Sequence, residues 1–286
     1  MNPTLLHGDC LEVMKTLPDK SIQTVLFDPP YNIQKAKWDT VLNYTDWLFS
    51  CFSSFERLLK DNGSLFVFHN DMEVIADILV RMRTTRFKFR QMIVWNKRFE
   101  GSKHKGFLDG YVCKSLAHNW EKMAEYILFF TFDNHDKLRQ RRTELQIDMK
   151  TIASEVKSKT GGLTGWYSNI ELGKNLPTST TMKPITKYLG FSFDDIVPKF
   201  RNQKTLHSVW NIDISMRTGH ETPKPEELYR QLISHTTDEG DTILDPTAGS
   251  FTSVFTAERM NRKAIGIEKD DAFYEKASQT RVMPGE

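Results

Sequence analysis

Asp28-Pro29-Pro30-Tyr31 places an acid, two prolines and an aromatic ring directly after the apolar run Thr24-Val25-Leu26-Phe27. The run reads as a buried strand. Each proline fixes its own φ at about −65° and offers no N–H. Each also holds the residue before it extended. The result is a rigid corner in which one backbone carbonyl can face a ligand beside the Asp28 carboxylate. Two fixed acceptors suit a group with two N–H donors, such as the exocyclic amine of a nucleobase. Tyr31 offers a flat face for such a base to stack on, a role that needs the ring and not the hydroxyl. A strand running into a polyproline turn would account for the same residues, so the rest of the chain has to supply the matching parts.

A second group lies far along the chain. Asp245-Pro246-Thr247-Ala248-Gly249-Ser250-Phe251-Thr252 joins a strand to a helix. Its small residues let backbone approach a ligand closely. Glu268 stands at the end of the following strand, where an acid in a doubly wound sheet commonly accepts from ribose hydroxyls. The turn lacks Gly-x-Gly-x-x-Gly, which argues against a nicotinamide cofactor.

Both groups need a sheet to hold them. Strands are expected at Leu5-Leu6, 24–27, 64–68, 89–95, 126–131, 242–244 and 264–267. Helices are expected at 11–17, 41–59, 72–82, 224–236, 253–260 and 271–281, with Asn62-Gly63 ending the second of these. Alternating strands and helices predict a parallel α/β sheet. The alternation stops after Phe132. Residues 133–204 are polar, with 13 Lys and Arg against 8 Asp and Glu. Short helices are expected there at 151–156, at 163–172 with Gly173 as its C-terminal cap, and at 182–189. In the last of these, Thr181 is the N-cap and Pro184 falls in the first turn. The chain thus divides into 1–132, an inserted helical region 133–204, and 205–286.

Composition bounds the function. At 39% hydrophobic and 27% charged, the chain reads as a soluble globular protein. No signal peptide or membrane-spanning run is visible, and a cytoplasmic location is expected. Cys10, Cys51 and Cys113 lack metal-ligand spacing and read as reduced thiols, so no metal is expected. None follows a proline in the manner of a nucleophile for C5-cytosine methylation. From Arg81 to Lys105 the only acid is Glu100, and Phe87, Phe89, Trp95, Phe99 and Phe107 are interleaved with the basic residues. That mixture suits a nucleic-acid backbone and an unstacked base.

Asp28-Pro29-Pro30-Tyr31 resembles the catalytic motif of the amino-group DNA methyltransferases, which methylate adenine N6 or cytosine N4. The Asp245 turn is similar to that family's S-adenosylmethionine motif, with Thr247 and Phe251 where Phe and a second Gly are usual. His220-Glu221-Thr222-Pro223-Lys224-Pro225 resembles its His-Pro-Thr-x-Lys-Pro element, with Glu221 for a proline and one spacer fewer. Gly8-Asp9-Cys10-Leu11 resembles an element whose acid lies near the cofactor adenine. Trp95-Asn96-Lys97 and Glu125-Tyr126-Ile127-Leu128 are also family-like.

The order of these parts resembles that of the β group, which implies a permuted Rossmann-like sheet with a mostly helical DNA-recognition insertion. The resemblance implies S-adenosyl-L-methionine as cofactor and double-stranded DNA as substrate. It implies a catalytic set of Asp28, Pro29, Pro30 and Tyr31. Its cofactor set is Asp9, Cys10, Thr222, Lys224, Pro225, Asp245, Pro246, Thr247, Gly249, Ser250, Thr252 and Glu268. A helix-turn-helix reading of the insertion, added to the basic run, makes Lys97, Arg98, Lys157, Lys159, Asn169 and Lys174 the candidate DNA contacts. Trp166 is expected in the core.

The expected reaction is methyl transfer to N6 of an adenine turned out of the duplex. Asp at the first motif position favours adenine, whereas Ser there is commoner for cytosine N4. Cytosine N4 transfer and an inactive helix-turn-helix regulator stay as alternatives. The resemblance leaves room for a homodimer and for a restriction endonuclease partner.

Overall fold

The computed structural model describes residues 3–32, 39–105, 123–158, 162, 164–202, 207–215 and 224–282. Eight strands form one sheet: β1 (Thr4–His7), β2 (Ile22–Phe27), β3 (Leu59–His69), β4 (Phe87–Asn96), β5 (Ala124–Phe132), β6 (Val209–Asn211), β7 (Thr242–Asp245) and β8 (Lys263–Glu268). Their spatial order is β1-β8-β7-β2-β3-β5-β4-β6. β5 is antiparallel to both β3 and β4, and every other pairing is parallel. The expected parallel α/β sheet is therefore present with one reversed strand in it.

The strands are apolar on both sides because helices cover both faces. Alternation decides which residue goes where. Val25, Phe27, Leu65, Val67, Leu128 and Phe130 face one core, with α1 (Cys10–Lys15), α2 (Tyr44–Leu58) and α3 (Met72–Arg81). Leu26, Phe66, Phe68, Ile127 and Phe129 face the other. There they meet α9 (Glu226–Thr236), α10 (Thr252–Arg259) and α11 (Asp271–Val282). Between β8 and α10 the approach is very close. A Cβ on Gly266 would lie 2.6 Å from Val254 Cγ2 and 2.8 Å from Phe251 Cδ1, so only glycine fits.

β3 differs from the expected helix stop at Asn62-Gly63. The strand starts at Leu59 and runs through both residues, with a register shift against β2 between Ile22 and Thr24. The extra residues sit between the pairs at these positions with Asn62 buried, and Asn62 Nδ2 donates to Asp194 Oδ1 at 2.9 Å. A turn-forming pair here makes a bulge in place of a chain reversal.

Between β5 and β6 the described residues form five helices: α4 (His135–Glu144), α5 (Met149–Ala153), α6 (Trp166–Glu171), α7 (Ser179–Leu189) and α8 (Phe193–Ile196). They close on a small core of their own, formed by Leu138, Ile152, Tyr167, Ile170, Met182, Ile185, Leu189 and Ile196. Trp166 packs at its edge, and its indole N–H donates to Ala153 O at 3.0 Å. α5 is centred earlier than expected. α6 has six residues, shorter than the 163–172 helix; Leu163 lies outside the described residues. Gly173 follows with φ +72°, the left-handed position expected of it. α7 is capped by Thr178, and Thr181 completes a reciprocal capping box three residues later. With the start moved back, Pro184 lies inside the helix and not in its first turn.

Candidate active site

One rim of the sheet gathers the chemistry. β2, β7, β8 and β1 run in the same direction, so Asp28, Asp245, Glu268 and Gly8 arrive together at their ends. β3 ends beside them at His69. β5 runs the other way, which brings its start, Ala124-Glu125, to the same rim. Trp95 pairs with Glu125 in register, and Lys97 N–H donates to Met123 O at 2.9 Å. These ends enclose a cleft of about 780 Å³, lined by Asp9, Asp28, Tyr31, Glu125, Gly249 and Glu268 among others.

Within the cleft, two carboxylates share a phenol, and two ammonium groups pair with the carboxylates. Lys224 Nζ lies 2.8 Å from Asp28 Oδ2 and 3.3 Å from Glu125 Oε2. Lys97 Nζ pairs with Glu125 Oε1. Tyr31 Oη lies 3.2 Å from Asp28 Oδ1 and 3.1 Å from Glu125 Oε2. A phenol carries one proton, so it donates to one carboxylate at a time, and the lysines offset the remaining repulsion. Burial alone would raise the Glu125 carboxyl, but Lys224 and Lys97 outweigh it and hold the group at about 2. Burial would likewise lower Lys224; Asp28 and Glu125 more than reverse this, so it stays charged. Burial, then the neighbouring carboxylates, pushes the Tyr31 phenol well above its ordinary value.

The Tyr31 ring lies 4.8 Å from His69, centroid to centroid, tilted by 39°. His69 Nδ1 accepts from Asp71 N–H at 3.0 Å, which leaves its Nε2 proton for Tyr44 Oη at 3.1 Å. Burial keeps this imidazole low and neutral. The expected role of Tyr31 uses its ring and leaves its hydroxyl idle. The structure engages both.

The Asp245 turn lies against this corner. Thr247 Oγ1 donates to Asp28 O at 2.9 Å, tying the two chain-distant motifs directly. Pro246, Thr247, Gly249 and Ser250 line the cleft. Asp245 does not. It is buried, accepting from Thr247 N–H at 3.1 Å and from the Ser253 hydroxyl. Burial, only partly opposed by these bonds, pushes it up to about 7. Thr252 also turns aside, and its hydroxyl bonds Ser250 Oγ at 2.9 Å. Both residues shape the turn from behind.

Glu268 Oε2 accepts from Gly249 N–H at 2.7 Å, and Oε1 accepts from Lys269 and Asp270 N–H. The carboxylate is thereby aimed into the cleft with acceptor capacity remaining. Asp9 caps α1 and accepts from Leu11 N–H at 2.9 Å, while Cys10 lies buried beside it. Gly8, Asp9, the 246–250 turn and Glu268 thus line one end of the cleft, with Asp28 and Tyr31 at the other. These are polar groups at one end and a small-residue cradle between, which fits a nucleoside carrying a charged side chain.

Two assignments change place. Lys224, grouped with the cofactor residues by its motif, is bonded to Asp28 and Glu125, two residues before α9, whose N-cap is Pro225. Lys97, grouped with the DNA contacts, is held by Glu125 and stacks over the Trp95 ring at 4.7 Å. Pro225 is buried. Arg98, Lys157 and Lys174 are exposed, and Asn169 is half-buried on α6. Thr222 and Lys159 lie outside the described residues, as does Phe107. Phe87 and Trp95, read as interleaved stacking residues, belong to the cores because β4 alternates. Glu125 was visible only as part of a family-like run. No spacing in the chain linked it to Asp28.

The match to known proteins covers nearly the whole chain. The family described as DNA methylase, of the N6 and N4 type, matches residues 22–279. The chain belongs to this family, and the class it defines is the S-adenosylmethionine-dependent DNA methyltransferases acting on amino nitrogens. The DNA adenine methyltransferase YhdJ of Escherichia coli K12 is 28% identical over 276 residues, covering 93% of this chain and 78% of the relative. In fold this chain is similar to the PvuII DNA methyltransferase, described as cytosine-N4-specific. That likeness has a TM-score of 0.64 and 18% identity, covering 100% of this chain and 88% of the other. The M1.HpyAVI–SAM complex superposes with a TM-score of 0.57 at 15% identity, covering 98% of this chain and 100% of the other. Among the described residues no helix is long and apolar enough to cross a membrane.

Proposed function

We propose that this protein methylates N6 of an adenine in double-stranded DNA, using S-adenosyl-L-methionine and a base turned out of the duplex. The observation that carries this is the bond from Thr247 of the cofactor turn to the Asp28 carbonyl. It sets the amine-binding corner against the cradle at a fixed separation. Gly249, Ser250, Glu268 and Asp9 would hold the cofactor. When bound, the cofactor supplies an electrophilic methyl group.

The protein's own part is orientation. Thr247 occupies the carbonyl of Asp28, so the Pro29 carbonyl and the Asp28 carboxylate are the acceptors left for the two amine hydrogens. Holding both turns the nitrogen lone pair toward the cradle. After transfer the amine must lose one proton, and Asp28 is the base in contact with it. Tyr31 bridges Asp28 to Glu125, so its hydroxyl can pass that charge change to a second carboxylate. Adenine is favoured over cytosine because the first motif position is Asp. The E. coli relative, named as an adenine enzyme, supports the same choice.

DNA contact would fall to Arg98, Lys157 and Lys174 on the exposed surface, with Asn169 on α6 as a base-edge reader. A six-residue helix gives a smaller reading surface than the helix-turn-helix first expected. The test is to incubate the protein with labelled cofactor and DNA, digest to nucleosides and separate them. N6-methyladenine is expected. N4-methylcytosine would overturn the base assignment, and no label in any nucleoside would overturn the function.

A further inference from the structure

We propose that Lys224 and Asp28 form one donor–acceptor pair that reads the edge of the target base. The Asp28 carboxylate takes the amine, and the Lys224 ammonium donates to the ring nitrogen next to it. This rests on the reading above that the substrate is an amino-bearing base.

An exocyclic amine of this kind never stands alone. In adenine and cytosine alike, its carbon also carries an unprotonated ring nitrogen, an acceptor. In the duplex that acceptor is filled by the partner base. Once the base is turned out, the site must supply a donor or leave a polar atom unpaired in a dry pocket. Lys224 Nζ is such a donor, 2.8 Å from Asp28 Oδ2. Acceptor and donor therefore stand side by side, the complement of an amine beside a bare ring nitrogen. A base edge carrying a carbonyl beside a ring N–H would meet donor against donor and acceptor against acceptor. The pair thus rejects thymine and the carbonyl edge of guanine as well as accepting its target.

The surroundings allow this ammonium to serve the base. Its side chain is 8% exposed, and it lies 5.3 Å from the Tyr31 ring centroid and 5.9 Å from that of Phe68. Its position is therefore confined. Glu125 does not depend on it alone: Lys97 holds Oε1, and the Tyr31 hydroxyl is at Oε2. Lys224 can turn from Glu125 toward the base without stranding a buried carboxylate. Lys97 contacts the far oxygen of Glu125, which leaves Lys224 as the cation placed against Asp28.

The test removes the two halves of the contact separately and together. DNA carrying the target base is compared with DNA carrying its deaza analogue, in which C–H replaces that ring nitrogen: 1-deazaadenine, or 3-deazacytosine if cytosine is the target. Single-turnover methylation is measured for wild type, Lys224→Met and Lys224→Arg. Wild type should lose about 10- to 100-fold on the analogue, the worth of one charge-assisted hydrogen bond. Lys224→Met should lose a similar factor on natural DNA and little more on the analogue. Lys224→Arg should keep part of the discrimination. If wild type treats both substrates alike, the pairing is wrong, and that arm needs no variant to fold. If the losses from Lys224→Met and the analogue multiply, Lys224 only neutralises its neighbours and the pairing is again wrong. Wild type that methylates no base in natural DNA would instead overturn the function on which the pairing rests.

Discussion

The rim of the sheet and the helical insertion hold their polar residues in different ways. At the rim, Asp28, Lys97, Glu125 and Glu268 each stand within a residue or two of a strand end whose register is set by its neighbours. Phe27 pairs with Val67, Trp95 with Glu125, and Asp245 with Gly266. The side chains are then locked by one another. In the insertion, short helices close on eight buried side chains, and most polar groups point to solvent. Its main buried charge pair, Arg142 with Glu171 at 2.9 Å, ties α4 to α6 and faces no cleft. The contrast assigns chemistry to the rigid rim and surface contact to the insertion. It predicts large, sharp effects from rim substitutions and small, graded ones from the insertion.

The largest effect should come from Asp28→Ala. Both the amine acceptor and a partner of Lys224 are lost, so methyl transfer should fall about a thousandfold or more. Cofactor affinity, measured by calorimetry, should change little, because the cradle is held by Glu268 and the 246–250 turn. Transfer at the wild-type rate would break the assignment of chemistry to the rim. Loss of cofactor binding alone would move Asp28 into the cradle.

Asp245→Asn should show next, in stability. The Asp245 carboxyl titrates at about 7 in the fold, against an ordinary value of 3.8. The unfolded chain therefore releases this proton at lower pH than the folded one. Stability falls as pH rises from about 4 to about 7 and then levels off. Glu125 has the opposite sign, since its carboxyl is held at about 2: its contribution is lost as pH falls below the ordinary carboxylate range. Asparagine at 245 should stabilise the fold by roughly 4 kcal/mol more at pH 8 than at pH 4, read from denaturant unfolding. An equal change at both pH values would mean that the Asp245 carboxyl keeps its ordinary value in the fold and is not raised by burial.

Tyr31→Phe should be milder than Asp28→Ala, at about tenfold in single-turnover rate. The ring stays, so stacking on the base survives. What is lost is the proton shared between Asp28 and Glu125. Retention of full rate would restore the reading in which only the ring counts.

These four residues also mark what the sequence could convey. Asp28 and Tyr31 were legible because two prolines after a β-branched run leave the chain few conformations. Asp245 was legible as an acid in a turn, but its direction was not. Whether such a side chain faces the ligand or the core depends on α10, where Ser253 reaches back to claim it. Glu125 was hidden for a topological reason. It reaches Asp28 only because β5 is reversed, and periodicity says nothing about strand direction. α4 was missed because its sequence is nearly all polar, with His135 and Leu138 its buried residues. Such a helix gains its place from the small core beneath it and from ion pairs such as Arg142 with Glu171 and Lys137 with Asp61, and no apolar stripe announces it.

The smallest effect, and the one that tests the other side of the contrast, is Lys157→Ala with Lys174→Ala. Both side chains are exposed in the insertion, where 13 basic residues face 8 acidic ones over 133–204. An exposed lysine that meets a phosphate releases about one counterion, so each removal should lower the slope of log affinity against log salt by about 0.9. Affinity should fall about two- to fivefold per lysine near physiological salt, equally for target and non-target DNA. Filter binding or fluorescence anisotropy across a salt series reads both quantities. Cofactor affinity should not move, because neither residue approaches the cleft. An unchanged salt slope would take these lysines off the DNA surface. A fall confined to the target sequence would make them readers of bases, and the insertion would then share the sharp dependence assigned here to the rim.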